Sequence, residues 1–286
     1  MNMRALRSFR IVLMDAFGHF DRDDGWVVAS HVAMSSLMAL FPFLIFVTAL
    51  AGVLGVGADP DQLTDLILDT LPREVGEPLA TEVHDVLTVP RTDLLTFGII
   101  TGVVIASNGI EALRTALNRA YRVKEDRSFI FRRLQSIFLV IIGAATFIAF
   151  SFLIVLGPLI WAGAVKWFPD LGTYADSFNF LRIALAVVII VLGLLISHRI
   201  LPAGKRKVFD TFPGIVVTLV LWVLAGSVFG AYLERFATYV STYAGLAGVM
   251  TALVFLYLIA VLFILGGEIN AAILRQRRLR SSKQET

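Results

Sequence analysis

Six stretches of this chain carry no Asp, Glu, Lys or Arg: Gly25–Ala58, Leu94–Ile110, Leu134–Val165, Ile183–His198, Thr211–Leu233 and Phe236–Gly267. Nothing else in the sequence restricts the fold so severely. A hydrocarbon layer about 30 Å thick needs roughly 17–25 helical residues to cross it, and within it every backbone N–H and C=O must find a partner in the protein. The runs show no two-residue alternation of apolar and polar side chains, so helices meet that demand and a barrel does not. The expected fold class is all-α: a polytopic membrane protein with six transmembrane helices, at about 26–56, 93–118, 135–163, 179–200, 211–234 and 244–274. Composition agrees, with 57% hydrophobic and 16% charged residues among 286, against about 25% charged in ordinary soluble domains. The first run is too long for the apolar core of a secretory signal, and no convincing cleavage site follows it.

Orientation follows from Lys and Arg. The N-terminal segment, the loop around 111–133, the loop at 199–210 and the C-terminal tail together hold 20 of the 25 basic residues, and the alternate connections hold five. Such a split, alternating correctly with six spans, places the basic side and both termini in the cytoplasm. The chain thus divides into a cytoplasmic segment at 1–24, a six-helix domain at 25–274 and a basic cytoplasmic tail at 275–286. The pI of about 9.3 is then a matter of topology and of attraction to anionic lipid heads, and no nucleic-acid partner is expected. Membrane lipids are the expected surroundings, and a homodimer is as compatible with the glycine spacings as packing within one chain.

The connection between the first two spans has room for more structure. Leu63, Leu66, Ile67 and Leu71 recur at helical spacing with Asp61, Asp65 and Asp69 on another face, Pro72 interrupts, and Leu79, Val83, Val86 and Leu87 follow Pro78. Two short amphipathic helices are expected at about 60–90, serving as a lid over the outer ends or as a gate or docking surface.

Polar side chains inside apolar spans mark functional candidates, because lipid makes them costly. In the first span His31 and Ser35 share a face, and Pro42 sits mid-helix, where its missing N–H should kink the chain. Asn108, Glu111, Thr115 and Asn118 step by three and four down one side of the second. The fourth ends in His198 and Arg199. In the last, Tyr257 and Glu268 share a face, whereas Asn270 lies about 200° from Glu268. The expected vestibule, for substrate or ion, is His31, Ser35, Asn108, Glu111, Asn118, Tyr257, Glu268 and Asn270, with Glu268 facing Glu111 and His31 and with Asn270 tying the last span to a neighbour. Pro42, Gly245, Gly266 and Gly267 are expected to serve as hinge and packing positions, where small residues let backbones approach. Arg182, Glu234, Tyr239 and Tyr243 are expected at the outer mouth, though the tyrosines also suit an interfacial belt. Pro213, after Asp210 and Thr211, reads as a helix start with its cap.

The stretches "MSSLMALFPFLIF", "EALRTALNRAYRVKEDRSF" and "FGAYLERFATYVSTYAGLAGVMTALVFLYLIAVLFILGGEINAAI" resemble the family named for YihY and the virulence factor BrkB, once labelled ribonuclease BN. The resemblance covers nearly the full length. It implies six transmembrane helices in a bacterial inner membrane, an undefined biochemical activity, and motif positions at Pro42, Asn118, Tyr121, Arg127, Tyr232, Tyr239, Tyr243, Gly245, Tyr257, Gly267, Glu268 and Asn270. Ala244 stands where a Tyr-Gly pair is usual, and Phe255 where tryptophan is common.

Two functional classes fit these readings. One is a transporter or exporter of a small-molecule or lipid-like substrate, negatively charged to suit the basic inner rim. The other is a non-transporting scaffold or envelope-assembly protein. An enzyme is not expected. Hydrolysis of RNA wants a metal cluster or paired His and carboxylates in a cleft, whereas His19, His31, His84 and His198 show no ligand spacing and cysteine is absent. No metal and no cofactor are expected.

Overall fold

The computed structural model describes residues 3–53, 92–242 and 244–282, and eight single positions between Asp61 and His84 whose backbone is helical. Among the described residues the chain is all-helical. In order come α1 (Met3–Arg22), α2 (Gly25–Val53), α3 (Thr92–Ala120), α4 (Phe129–Ser151), a π-turn at Phe152–Leu156, α5 (Gly157–Trp167), a 3-10 turn at Pro169–Tyr174, α6 (Ala175–Ile200), α7 (Val208–Thr242) and α8 (Ala244–Ser282). Among the described residues, four stretches are long and apolar enough to cross a membrane: Phe129–Ile154, Pro169–Ile200, Val208–Leu233 and Gly248–Leu279. A shorter apolar stretch at Gly25–Leu40 lies in α2. The outer segment expected at 60–90 lies for the most part outside the described residues. So do Tyr243 and the side-chain positions of Glu234, Tyr239 and Gly245.

Several boundaries differ from expectation for identifiable reasons. The third apolar run was expected to form one span over 135–163, but α4 gives way to the π-turn at Phe152. Pro158 has no N–H to offer Ile154 four residues earlier, so the helix ladder breaks there. The freed Ile154 carbonyl accepts from Arg182 Nη1 of α6 at 3.1 Å, while Arg182 Nη2 donates to Asn179 at 2.7 Å. Arg182, expected at the outer mouth, here bonds the carbonyl freed by the helix break. The segment 1–24 is mostly helix. Val12 and Ala16 of α1 pack on Ile269 and Ala272 of α8, while Phe20 meets Trp26 edge-on at 5.0 Å. The basic tail continues α8 as helix to Ser282. Pro213 lies inside α7, which begins at Val208.

Helix α8 is central, packing on α1, α2, α3 and α7, while α2 packs on α3 and α4. The main core joins Val28 and Val32 of α2, Ala116 and Leu117 of α3, Leu194 of α6, Ile215 of α7 and Phe263 and Ile264 of α8. A second core holds Phe46, Val47, Val103, Ala106, Val140 and Ala144. Outward faces stay apolar, as at Phe180, Val223 and Val228, which suits a solvent of lipid tails. At Gly102 the crossing of α2 over α3 is so close that a Cβ would lie 3.2 Å from the Pro42 carbonyl oxygen. The turns at 121–128 and 201–207, together with α1, gather at one end of the bundle, which we call the basic end.

Candidate functional site

The seam between α7 and α8 is built from small and hydrogen-bonding residues one turn apart. Thr211, Gly214, Thr218 and Trp222 recur at steps of three and four. A Cβ on Gly266 would lie 2.0 Å from Thr218 Oγ1, and one on Gly214 would lie 2.1 Å from the Gly266 carbonyl oxygen. Glycine is required at both positions. Trp222 Nε1 donates to the Ile259 carbonyl at 3.1 Å. Near Pro213 the carboxamide of Asn270 enters the seam: Oδ1 accepts from Gly214 N–H at 2.7 Å and Nδ2 donates to the Thr211 carbonyl at 2.9 Å. Without a hydrophobic drive between helices in lipid, close backbone approach and such bonds hold them together.

From Asn270 the network leaves the seam. Its Nδ2 also donates to Tyr121 Oη at 3.1 Å, and Tyr121 Oη lies 3.1 Å from His198 Nδ1. Burial pushes the Tyr121 hydroxyl up to about 12, with Asn270 and Arg206 opposing the shift, so the phenol keeps its proton. Tyr121 Oη thus accepts from Asn270 and meets the imidazole of His198. Nε2 has no partner among the described residues. Arg206 stacks over the Tyr121 ring, its guanidinium carbon 4.1 Å from the centroid.

One residue further on, Arg122 ends α3 in the left-handed region, at φ 53°. Arg122 N–H donates to the Arg119 carbonyl at 2.9 Å and Val123 N–H to that of Asn118 at 3.0 Å. This is the bonding of a Schellman cap, a place that usually takes glycine. An arginine serves here because its side chain has work elsewhere. Nη2 meets Glu268 at 3.0 Å and Nε meets Asp23 at 3.3 Å. Glu268 is buried on α8, so Arg122 ties the turn to the inside of the bundle. Arg275, seven residues on, instead meets Asp15 of α1 at 3.1 Å.

The turn itself is held by a fork. Arg127 Nε and Nη2 each donate to Glu125 at 2.7 Å. Arg127 holds the Glu125 carboxyl far below its ordinary value, at about 2, with the Asn118 amide assisting against partial burial. The same guanidinium donates to the carbonyls of Ile200 (3.2 Å) and Leu201 (2.6 Å), a cation on the negative end of α6. Asn118 completes the link: Nδ2 donates to Glu125 at 2.9 Å and Oδ1 accepts from Ala203 N–H at 2.7 Å.

Beside this turn lies a cavity of about 340 Å³, with Arg114, Arg119, Arg122, Lys124 and Arg132 in its wall and Glu125 as its acid. Arg114 is 1% exposed. It pairs with Glu111 and donates through Nη2 to Gln135 at 2.9 Å and to the Arg132 carbonyl at 3.3 Å, yet its Nε–H has no partner.

The expected vestibule is therefore divided. Glu268, Asn270 and Asn118 converge on the end of α3 and its turn. Glu111 turns to Arg114 and to Ser136 Oγ, which donates at 2.9 Å. Asn108 accepts from Arg133 at 2.8 Å on an exposed face. His31 is exposed on α2, so it does not join Glu111 and Glu268: its helix turns Val32 and Ala33 inward instead. Ser35 lies where α2 crosses α3 at Gly109, and Tyr257 packs against the main core. Gly267 sits 3.2 Å, measured from a built Cβ, from Ala120 and Leu117. Arg114, Arg122, Glu125, Gln135 and Arg206 were absent from the expected set. They resembled ordinary polar residues of loops and span ends, and only the Arg122 position, beyond a helix end without glycine, carried a local signal. Among the described residues no three His, Cys, Asp or Glu side chains are placed to hold a metal ion.

Comparison with known proteins adds relatives. The profile of the virulence factor BrkB family matches residues 16–286. A Bacillus subtilis protein named as ribonuclease-like, YfkH, is 30% identical over 267 residues, covering 93% of this chain and 96% of its own. UPF0761 membrane proteins of Aeromonas salmonicida and Pseudoalteromonas atlantica are 23% and 24% identical, covering 90% and 89% of this chain and 87% and 83% of their own. No solved structure matches.

Proposed function

The chain belongs to the virulence factor BrkB family of membrane proteins, and on that premise we propose that it moves a negatively charged solute or lipid across the bacterial inner membrane. In this reading α2 and α3 join the four long apolar stretches as spans. The basic end faces the cytoplasm with both termini. The observation that carries the reading is the double engagement of Arg122. This residue forms part of the cavity wall in the turn and holds the buried Glu268 of α8 at 3.0 Å. A ligand that draws Arg122 toward itself loosens a contact to the central helix, which is what coupling between a site and a bundle requires. YfkH's ribonuclease-like name belongs to that protein, and our reading is passage and not hydrolysis.

The test uses the purified protein in proteoliposomes, with efflux of inorganic phosphate and flipping of a fluorescent phosphatidic acid as probes. We expect flux above empty vesicles, and its loss in Glu268→Gln with insertion intact. Wild-type vesicles that move neither probe end the transport reading. A second reading, a scaffold, draws on the satisfaction of Glu111, Glu268 and Asn270 by protein partners. It predicts no flux, and Glu268→Gln acting on stability alone.

A further inference from the structure

The transport reading leaves the ligand's chemistry open, and the cavity wall narrows it. We propose that the cavity beside the turn after α3 binds a phosphate group, as free phosphate or as the phosphomonoester head of a lipid. The inference rests on the reading of the basic end as the ligand-facing side.

Charge comes first. Of the five cations in the wall, Arg114 is matched by Glu111 and Arg122 by Glu268 and Asp23. Arg119, Lys124 and Arg132 have no carboxylate partner among the described residues. The acid in the wall, Glu125, is already gripped by Arg127 through two bonds of 2.7 Å, so it does not neutralise them. The cavity therefore faces its contents with surplus positive charge, which repels a cation.

Donor arrangement comes second. The buried Arg114 keeps one N–H unspent, and Arg132 Nε–H likewise has no partner. Leaving a buried N–H unpaired costs about 1–3 kcal/mol, and both of these arginines belong to the cavity wall. The donors come from three elements: Arg114 and Arg119 from α3, Lys124 from the turn and Arg132 from the start of α4. A planar carboxylate has two oxygens in one plane. A phosphate monoester offers three charged oxygens spread over a tetrahedron, and so can meet donors arriving from several directions. The volume of about 340 Å³ is at the small end for small-molecule sites, enough for a head group.

The experiment titrates inorganic phosphate into full-length protein in phosphatidylcholine nanodiscs by calorimetry. In parallel, native mass spectrometry reads retention of phosphatidic acid over phosphatidylcholine. Variants are Arg119→Gln and Lys124→Gln, whose side chains hold no carboxylate, with Arg10→Gln on α1 as a remote control. We expect saturable binding in at least one arm, weakened about fivefold by each wall substitution, the effect of one nearby cation, and unchanged in the control. Binding of phosphate alone identifies a free-phosphate site, and retention of phosphatidic acid alone identifies a lipid site. No binding in either arm overturns the proposal, as does binding indifferent to both wall variants. Binding that persists in protein without flux retains this site and ends the transport reading; flux without such binding does the reverse.

Discussion

Arg122 carries two opposed effects, and substitution separates them. Its φ of 53° costs a residue with a Cβ about 1 kcal/mol relative to glycine. Its guanidinium meanwhile pairs with Glu268, which is 1% exposed, although Arg122's own side chain is 32% exposed. Removing one partner of a fully buried pair costs about 3–5 kcal/mol, and the partial exposure of Arg122 puts this pair at the low end, about 3. Arg122→Gln strands Glu268 and keeps the backbone cost, losing about 3 kcal/mol. Arg122→Gly relieves the backbone and so loses about 2. Adding Glu268→Gln to Arg122→Gly removes the stranded charge and should recover most of the deficit. At about 2 °C per kcal/mol for a chain of this size, the melting temperature falls by about 6 °C in Arg122→Gln and about 4 °C in Arg122→Gly, and returns to within about 2 °C in the double variant. Tryptophan fluorescence in detergent micelles at pH 9 follows the series. Arg122→Gly melting at or above the wild type refutes the pairing. Melting below Arg122→Gln refutes the backbone term.

Gly214→Ala should lower the melting temperature sharply, because its Cβ would lie 2.1 Å from the Gly266 carbonyl oxygen, an overpacking cost of about 1–3 kcal/mol. Gly226→Ala, with nothing within 4 Å, should leave it unchanged or slightly raised, and equal losses at both sites would contradict the seam. Asn270→Ala removes three hydrogen bonds and should cost about 2–3 kcal/mol at about 1 each, read by the same melts. Glu125 supplies the acid dependence. Its folded carboxyl is depressed to about 2 by Arg127, below the unfolded value of about 4.3. Its contribution is therefore complete above about pH 4.3 and is lost as pH falls through 2. Melts between pH 5 and 2.5 should steepen for the wild type relative to Glu125→Gln, and parallel curves would show that the fork adds no stability.

Much of the frame was legible because hydropathy is a local quantity. Four of the apolar runs appear as long apolar helices among the described residues, and the glycines at 266 and 267 sit at close helix contacts. Periodicity names a face, not the partner of that face. It put His31, Glu111 and Glu268 in one cavity because each lay near the same membrane depth. The structure gives each different neighbours, since rotation of α2, α3 and α8 about their own axes depends on packing between distant segments. Glu268 finds Arg122 across 146 positions, and no window along the chain contains both. The break at Phe152 was legible in principle, since Pro158 stands four residues after Ile154, but the apolar run masks it. Helix α1 leaves little mark in a hydropathy average, because its charged residues outweigh its apolar stripe.

The pairing of α1 with α8 also has a temporal side. Arg275 and Asp15 are separated by 260 positions, and a ribosome adding about 5–20 residues per second needs on the order of 10–50 s to pass from one to the other. Throughout that interval the face of α1 bearing Val12 and Ala16 has no Ile269 or Ala272 to cover it. The first of the described helices is thus among the last to be seated. A chain interrupted before α8 emerges would present an uncovered amphipathic helix at the membrane surface, a signature by which unfinished copies differ from finished ones.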